Sequence, residues 1–258
     1  MSTRVYFVSP QQLHALSGYQ RLPPAINYRL APETKFPGPL HDVVSSYFRL
    51  VNDLQIPPSN IIVAGDSAGG ALCLALMMYL RDNDYPLPGA AILLSPWVGK
   101  PKALGRNVRR TLNIWIDLTM SCESWDGNAK YDVLSKPIQG NLLDPITCYL
   151  GEHMEKYLTH PYASPLFGNF AGLPPMLVQA GDAEVLRDEI TLLAYKASLA
   201  GVKVRHELYE DAVCPRFHPW LSQICSVLYH VSLHRYTYSI PTHFWRSLAE
   251  RFFLVANL

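Results

Sequence analysis

An α/β chain with a doubly wound, mostly parallel sheet is the architecture this sequence predicts, and three observations predict it. Short apolar runs with β-branched residues recur at 61–64, 90–96 and 174–182, as in strands buried on both faces of a parallel sheet. Stretches of helical periodicity lie between them. Each run ends in Gly, Ser, Pro or Asp, where a strand hands the chain to a loop.

Taken in order, Val5, Tyr6, Phe7 and Val8 read as a short strand and Leu22-Pro-Pro24 as a loop. Residues 25–33 start strand-like and run into a Pro-terminated loop, and 40–51 carry helical spacing through Val43, Tyr47 and Leu50. The run 61–64 then breaks at Gly65-Asp-Ser-Ala-Gly69, and a helix over 68–81 resumes with Leu72, Leu76 and Leu80 on one face. This spacing puts Ser67 at the apex of a sharp strand-to-helix corner, with glycines where the backbone must pass close by. The helix points its first N–H groups at the same place, so the amide of Ala68 is expected to meet an oxyanion forming on an attacked carbonyl. Downstream, 174–182 is the next strand, 186–200 a helix stopped by Gly201, and Val202, Val204, His206 and Leu208 alternate as a further strand. Ser67 and Asp182 both fall beyond carboxyl ends of strands, where open α/β sheets bind ligands.

Composition narrows the function. The 258 residues, 49% hydrophobic, suffice for a single domain over 1–258 with a substantial core. A formal charge of +1 offers no broad field for nucleic acid or an anionic membrane. Cys73, Cys122, Cys148, Cys214 and Cys225 are odd in number and lack framework spacing, which points to free thiols in a reducing, cytoplasmic setting. No apolar run of membrane-spanning length and no signal-peptide core are present in the chain as given, so membrane association is not indicated. The nine His and five Cys residues do not assemble into a full metal-binding set in the sequence, so neither a metal nor another cofactor is expected.

Four motifs, Tyr28-Arg-Leu-Ala-Pro-Glu33, Gly65-Asp-Ser-Ala-Gly-Gly70, Ser95-Pro-Trp97 and Glu184-Val-Leu-Arg-Asp-Glu189, together resemble the hormone-sensitive-lipase branch of the α/β-hydrolase fold, in its order and roughly its spacing, over about 26–213. The resemblance implies an α/β-hydrolase sheet and a carboxylic-ester hydrolase acting on a small-molecule ester through an acyl-enzyme, with Ser67 as nucleophile and Glu184 as the acid that orients a base. Asp182, Asp188 and Glu189 crowd the same loop, and the alternative reading is that such acids cap the next helix.

The chain departs from the family pattern in three places. Where relatives carry the base histidine this chain has Cys214, and a thiol cannot both take the Ser67 proton and be aligned as an imidazole can. His218 is the candidate base; His230, His234 and His243 are the others, and a chain with no competent base remains open. No His-Gly-Gly-Gly loop precedes Tyr28, so the usual N-terminal cap, first strands and second oxyanion donors are expected to be missing. Residues 99–116 form an atypical insertion with Lys100, Lys102, Arg106, Arg109 and Arg110 and no acid. Such abrupt breaks, with a foreign start and an atypical tail over 215–258, fit a retained intron and a chain altered at both ends.

Residues 117–170 correspond to the region over the active site in relatives. Trp125, Tyr131, Tyr149, Tyr157, Tyr162 and Phe167 offer apolar walls there and serve equally as packing. His160 reads as structural and His153 as a helix-surface residue. In the tail, Phe244, Leu248, Phe252 and Val255 share one face of a helix expected to dock on the sheet. The rival reading, from a different class, is a non-catalytic small-molecule-binding protein on the same scaffold, with Cys214 as its motivating feature.

Overall fold

In the computed structural model, which describes residues 5–8, 25–99, 124–132, 134 and 145–210, six strands form one sheet in the order β2-β1-β3-β4-β5-β6. The strands are β1 (Val5–Val8), β2 (Ala25–Ile26), β3 (Ile62–Asp66), β4 (Ala90–Leu94), β5 (Met176–Gly181) and β6 (Val204–Tyr209). From β3 to β6 all neighbours are parallel, as the buried apolar runs predicted. β1 runs antiparallel to both β2 and β3, so the sheet is mixed at that side. The edge of β3 is thereby covered, with Val5 opposite Gly65 and Val8 opposite Ile62. Cys214, His218, the tail histidines, the tail helix and all of the basic insertion after Gly99 lie outside the described residues.

Three helices pack on one face of the sheet: α1 (Gly38–Phe48), α2 (Ala68–Asp82) and α6 (Arg187–Leu199). Pro39 sits in the first turn of α1, where its missing N–H costs nothing, and Tyr28, Leu40, Val43 and Tyr47 meet Phe7 and Val63 in the core. The Tyr47 hydroxyl donates to the Pro86 carbonyl at 2.7 Å, and burial raises its pKa. α2 is apolar nearly all round, with Leu72 to Met78 and Leu80 buried apart from solvent, because it lies between the sheet and its neighbours. α6 stops where the sequence placed its end. Gly201 adopts φ 83°, its N–H donates to the Ser198 carbonyl and the Val202 N–H donates to Ala197, a Schellman closure.

The opposite face of the sheet, with Tyr6, Val8, Ile62, Ile92, Leu94 and Leu177, is buried as well. Three short helices, α3 (Ser124–Gly127), α4 (Pro145–Leu150) and α5 (Met154–Tyr157), belong to the stretch between β4 and β5. Phe36 joins that stretch to the body, its ring 4.9 Å from Tyr157, 5.6 Å from His160 and 5.8 Å from Tyr149.

Gly65 shows how tightly β3 and α2 are joined. A Cβ built there lies 2.4 Å from the Gly69 carbonyl carbon and 2.5 Å from its oxygen, both backbone atoms that no side-chain rotation can move. Gly65→Ala is therefore expected to cost about 2 kcal/mol or more, as overpacking against rigid neighbours does, read as a lower urea midpoint with an unchanged slope.

Candidate active site

Ser67 stands between β3 and α2 with φ 51° and ψ −118°, a left-handed conformation that a non-glycine residue adopts only when its surroundings compel it. Two hydrogen bonds from one neighbouring turn compel it here. The Ser67 N–H donates to the Leu94 carbonyl at 2.9 Å, and the Trp97 N–H donates to the Ser67 carbonyl at 2.9 Å. On the helix side, a Cβ at Gly70 would sit 2.8 Å from the Pro96 side chain, so the first turn of α2 closes directly on that turn. Ser67 is the N-cap of α2, yet its side chain makes no capping bond, so the hydroxyl is not committed to the helix. Ala68 opens the helix, among the first-turn N–H groups that have no intrahelical acceptor.

The acidic loop follows β5. Glu184 is 1% exposed, as is Ser95 at the end of β4. The Ser95 hydroxyl donates to Glu184 Oε1 at 2.7 Å, and the Gly181 N–H donates to the same oxygen at 2.9 Å. Oε2 is buried without a hydrogen-bond partner among the described residues. Burial pushes the Glu184 carboxyl up to about 7, against the two donors that pull it down, and Asp132 adds a like charge. Since β3, β4 and β5 are consecutive neighbours, the ends that carry Ser67 and Glu184 stand two strand spacings, about 10 Å, apart.

The other acids have separate duties. Asp188 and Glu189 occupy the first turn of α6, but its N-cap is Leu186 with no side-chain bond, so Asp182 does not cap the helix. Asp188 accepts the Ser124 N–H at 2.8 Å and pairs with Arg187, while Glu189 accepts the Trp125 indole N–H. Asn128 donates to the carbonyls of Asp182 and Glu184 at 2.9 and 2.8 Å, and Asp132 accepts the Val185 N–H at 2.7 Å. The segment 124–132 thus grips the acidic loop from outside the sheet. Sequence reasoning singled out Trp125 as an apolar wall and gave Ser95, Asn128 and Asp132 no part in the site. A polar residue closing an apolar strand beside the Ser67 strand was the available signal for Ser95.

The aromatic residues divide. Tyr149 lies beside Trp97 at 6.5 Å, near the corner, whereas Tyr131 is exposed beside Lys130. Tyr157 and Tyr162 instead line a cavity of about 370 Å³ with Phe36, Tyr79 and His160, at the far end of α2 from Ser67. His160 accepts the Tyr162 N–H at 3.2 Å and its pKa is lowered by burial and by Lys156, consistent with a structural role. His153 is exposed and 3.9 Å from Glu152. Among the described residues no cluster of His, Cys, Asp or Glu could hold a metal ion, and no helix is long and apolar enough to cross a membrane. Cys73 is buried and Cys148 half-buried, and neither forms a disulfide among the described residues.

A serine at a sharp strand-to-helix corner, with a buried glutamate two strands away, sits in an α/β sheet whose relatives are hydrolases. The chain belongs to the alpha/beta hydrolase fold family, whose profile matches residues 24–218, and within it to the hormone-sensitive-lipase-like group. It is 34% identical over 201 residues to an acetyl-hydrolase of Streptomyces hygroscopicus, covering 76% of this chain and 56% of that one. An esterase of Acinetobacter venetianus is 35% identical over 184 residues, covering 71% and 53%. The chain thus spans about half the length of the curated relatives it matches. A bacterial esterase of the hormone-sensitive lipase family superposes with a TM-score of 0.66 at 30% identity, over 96% of this chain and 69% of that one. A second structure, of EstE5 soaked with p-nitrophenyl butyrate, gives 0.63 at 30% identity over 90% and 65%.

The raised Glu184 pKa has a thermodynamic sign. A carboxyl that binds its proton more tightly in the folded protein than in the unfolded chain loses the protein stability as pH rises from about 4.5 through about 7. Glu184→Gln, which keeps an acceptor for Ser95 and Gly181, is expected to melt higher than the parent at pH 8, by up to roughly 3 kcal/mol, with the gap closing by about pH 4. Calorimetric melts of both proteins across that range check it.

Proposed function

We propose that this chain is a serine carboxylesterase-type hydrolase acting on an uncharged ester with a small to medium acyl group. The observation that carries this reading is the strained corner at Ser67, with its hydroxyl not used in capping and the first turn of α2 starting beside it. In the proposed reaction a neutral imidazole removes the Ser67 hydroxyl proton as Oγ bonds to the ester carbonyl carbon. The carbonyl oxygen becomes an oxyanion beside the Ala68 N–H. The intermediate collapses, the C–O bond to the alcohol breaks, and the imidazolium returns its proton to the leaving alkoxide. Water then attacks the acyl-serine by the same route and releases the acid.

Glu184 orients the imidazole and offsets its positive charge, and His218 is the residue assigned to supply it. The sequence holds no His-Gly-Gly-Gly loop, and the Ala68 N–H is the donor assigned to the oxyanion; loss of one such donor costs on the order of a hundred- to a thousandfold in rate. The names of the relatives, acetyl-hydrolase and esterase, support a short-chain ester as substrate.

Cys214 favours a second reading, a protein that holds a small molecule in this pocket without consuming it, because the resemblance places the base histidine at that position. The two readings separate on direct measurement. A fluorophosphonate probe is expected to label the folded protein at Ser67, and Ser67→Ala to abolish both labelling and hydrolysis of p-nitrophenyl butyrate. No labelling of a sample that melts cooperatively overturns the esterase reading. If the scaffold lacks only its base, Cys214→His is expected to raise turnover, whereas on the binding reading a ligand raises the melting temperature and is recovered intact.

A further inference from the structure

We infer that Ser95 is a positioning residue for the acid of this site, and that the turn 94–97 which carries it is the spacer fixing Glu184 against Ser67. This rests on the reading of Ser67 as nucleophile and Glu184 as acid. Its evidence is a set of contacts that converge on four consecutive residues. The Leu94 carbonyl accepts from Ser67, the Ser95 hydroxyl donates to Glu184, Pro96 closes on Gly70, and the Trp97 N–H donates to the Ser67 carbonyl. One turn therefore touches both halves of the site.

The geometry at Glu184 is that of a clamp. Rotation about the last torsion of a glutamate is broad, so an unheld carboxylate presents its oxygens in many directions. Here Oε1 receives donors from two strands, the Ser95 hydroxyl at the end of β4 and the Gly181 N–H at the end of β5. Two donors on one oxygen fix the plane of the group and leave Oε2 as the only acceptor still open, buried and without a partner among the described residues. An imidazole N–H needs one such oxygen in one orientation.

Ser95 also carries backbone strain. It sits at φ 43°, and its N–H donates to the Gln179 carbonyl at 2.8 Å, extending the β4–β5 ladder by one step while the side chain is turned onto the carboxylate. Glycine would occupy this conformation more easily but has no hydroxyl to give. The other charge that bears on Glu184 is Asp132, held separately by the Val185 N–H. Substitution at Ser95 leaves that contact in place.

The test compares the parent with Ser95→Ala and Ser95→Gly. Both lack the hydroxyl, and glycine is at ease at φ 43°, so one of them remains folded if strain defeats the other. Fluorophosphonate labelling rates at Ser67, and kcat and KM for p-nitrophenyl butyrate, are measured from about pH 5 to about pH 9, where the carboxylate–imidazole pair titrates as a unit. Loss of a hydrogen bond to a charged group predicts kcat lower by roughly tenfold or more, KM within about twofold, and an acidic limb displaced to higher pH. A scaffold role alone lowers the melting temperature, leaves the limb where it was, and overturns the assignment. If the parent itself is not labelled, the nucleophile reading fails and the role of Ser95 falls with it. If the parent is labelled and both variants reproduce its pH–rate curve, Ser95 alone is refuted.

Discussion

The backbone at Ser67 is the constraint on which the rest of this molecule turns. A serine with φ near 50° is held there against a cost of order 1–3 kcal/mol, and the opposing force is distributed among its neighbours. Gly65 lets the start of α2 fall back across β3, Gly70 lets it close on Pro96, and the Leu94 and Trp97 amide groups grip the residue from both sides. The apolar run of α2 then anchors the corner in the core, because Leu74, Ala75, Leu76 and Met77 have no exposed surface to gain by moving outward. Strain at one residue is stable here because the whole of α2 would have to shift to release it.

The acidic side is built on the opposite balance. Glu184 pays no strain but suffers desolvation, and two donors and a dense collar of hydrogen bonds hold it in place. Asn128 and Asp132 fasten the backbone around it, and Ser124 and Trp125 fasten the start of α6. A carboxyl whose pKa lies near neutrality is poised between its two forms, so an approaching positive charge would tip it toward ionisation. The acidic loop is thus electrically soft and mechanically stiff.

Much of this was legible in the sequence because it is local. Gly65-Asp-Ser-Ala-Gly69 announces its corner within five residues, Gly201 announces its helix end, and the β-branched runs announce the parallel strands with boundaries off by one or two positions. The grip of 124–132 on the acidic loop is another matter: it joins residues more than fifty positions apart, and neither Asn128 nor Asp132 sits in a recognisable pattern. Ser95 stood inside a recognised motif, yet nothing in Ser95-Pro-Trp97 says that its hydroxyl meets a glutamate 89 residues later. Val5–Val8 was readable as a strand, but its direction was not, since a short run of buried apolar residues looks the same whichever way a strand runs.

That direction has a chemical consequence for the space above Ser67. A strand parallel to β3 would bring its outgoing loop to the corner, and with it a succession of amides able to face an anion. β1 brings its incoming end instead, since Val5 lies level with Gly65 and Val8 with Ile62. β2, antiparallel to β1, delivers Asn27 and Tyr28 to the same side. On the β1–β2 side of this scaffold, a grafted loop meant to face an anion above Ser67 therefore belongs ahead of Val5 or after Ile26, because one inserted after Val8 would emerge at the opposite end of the sheet.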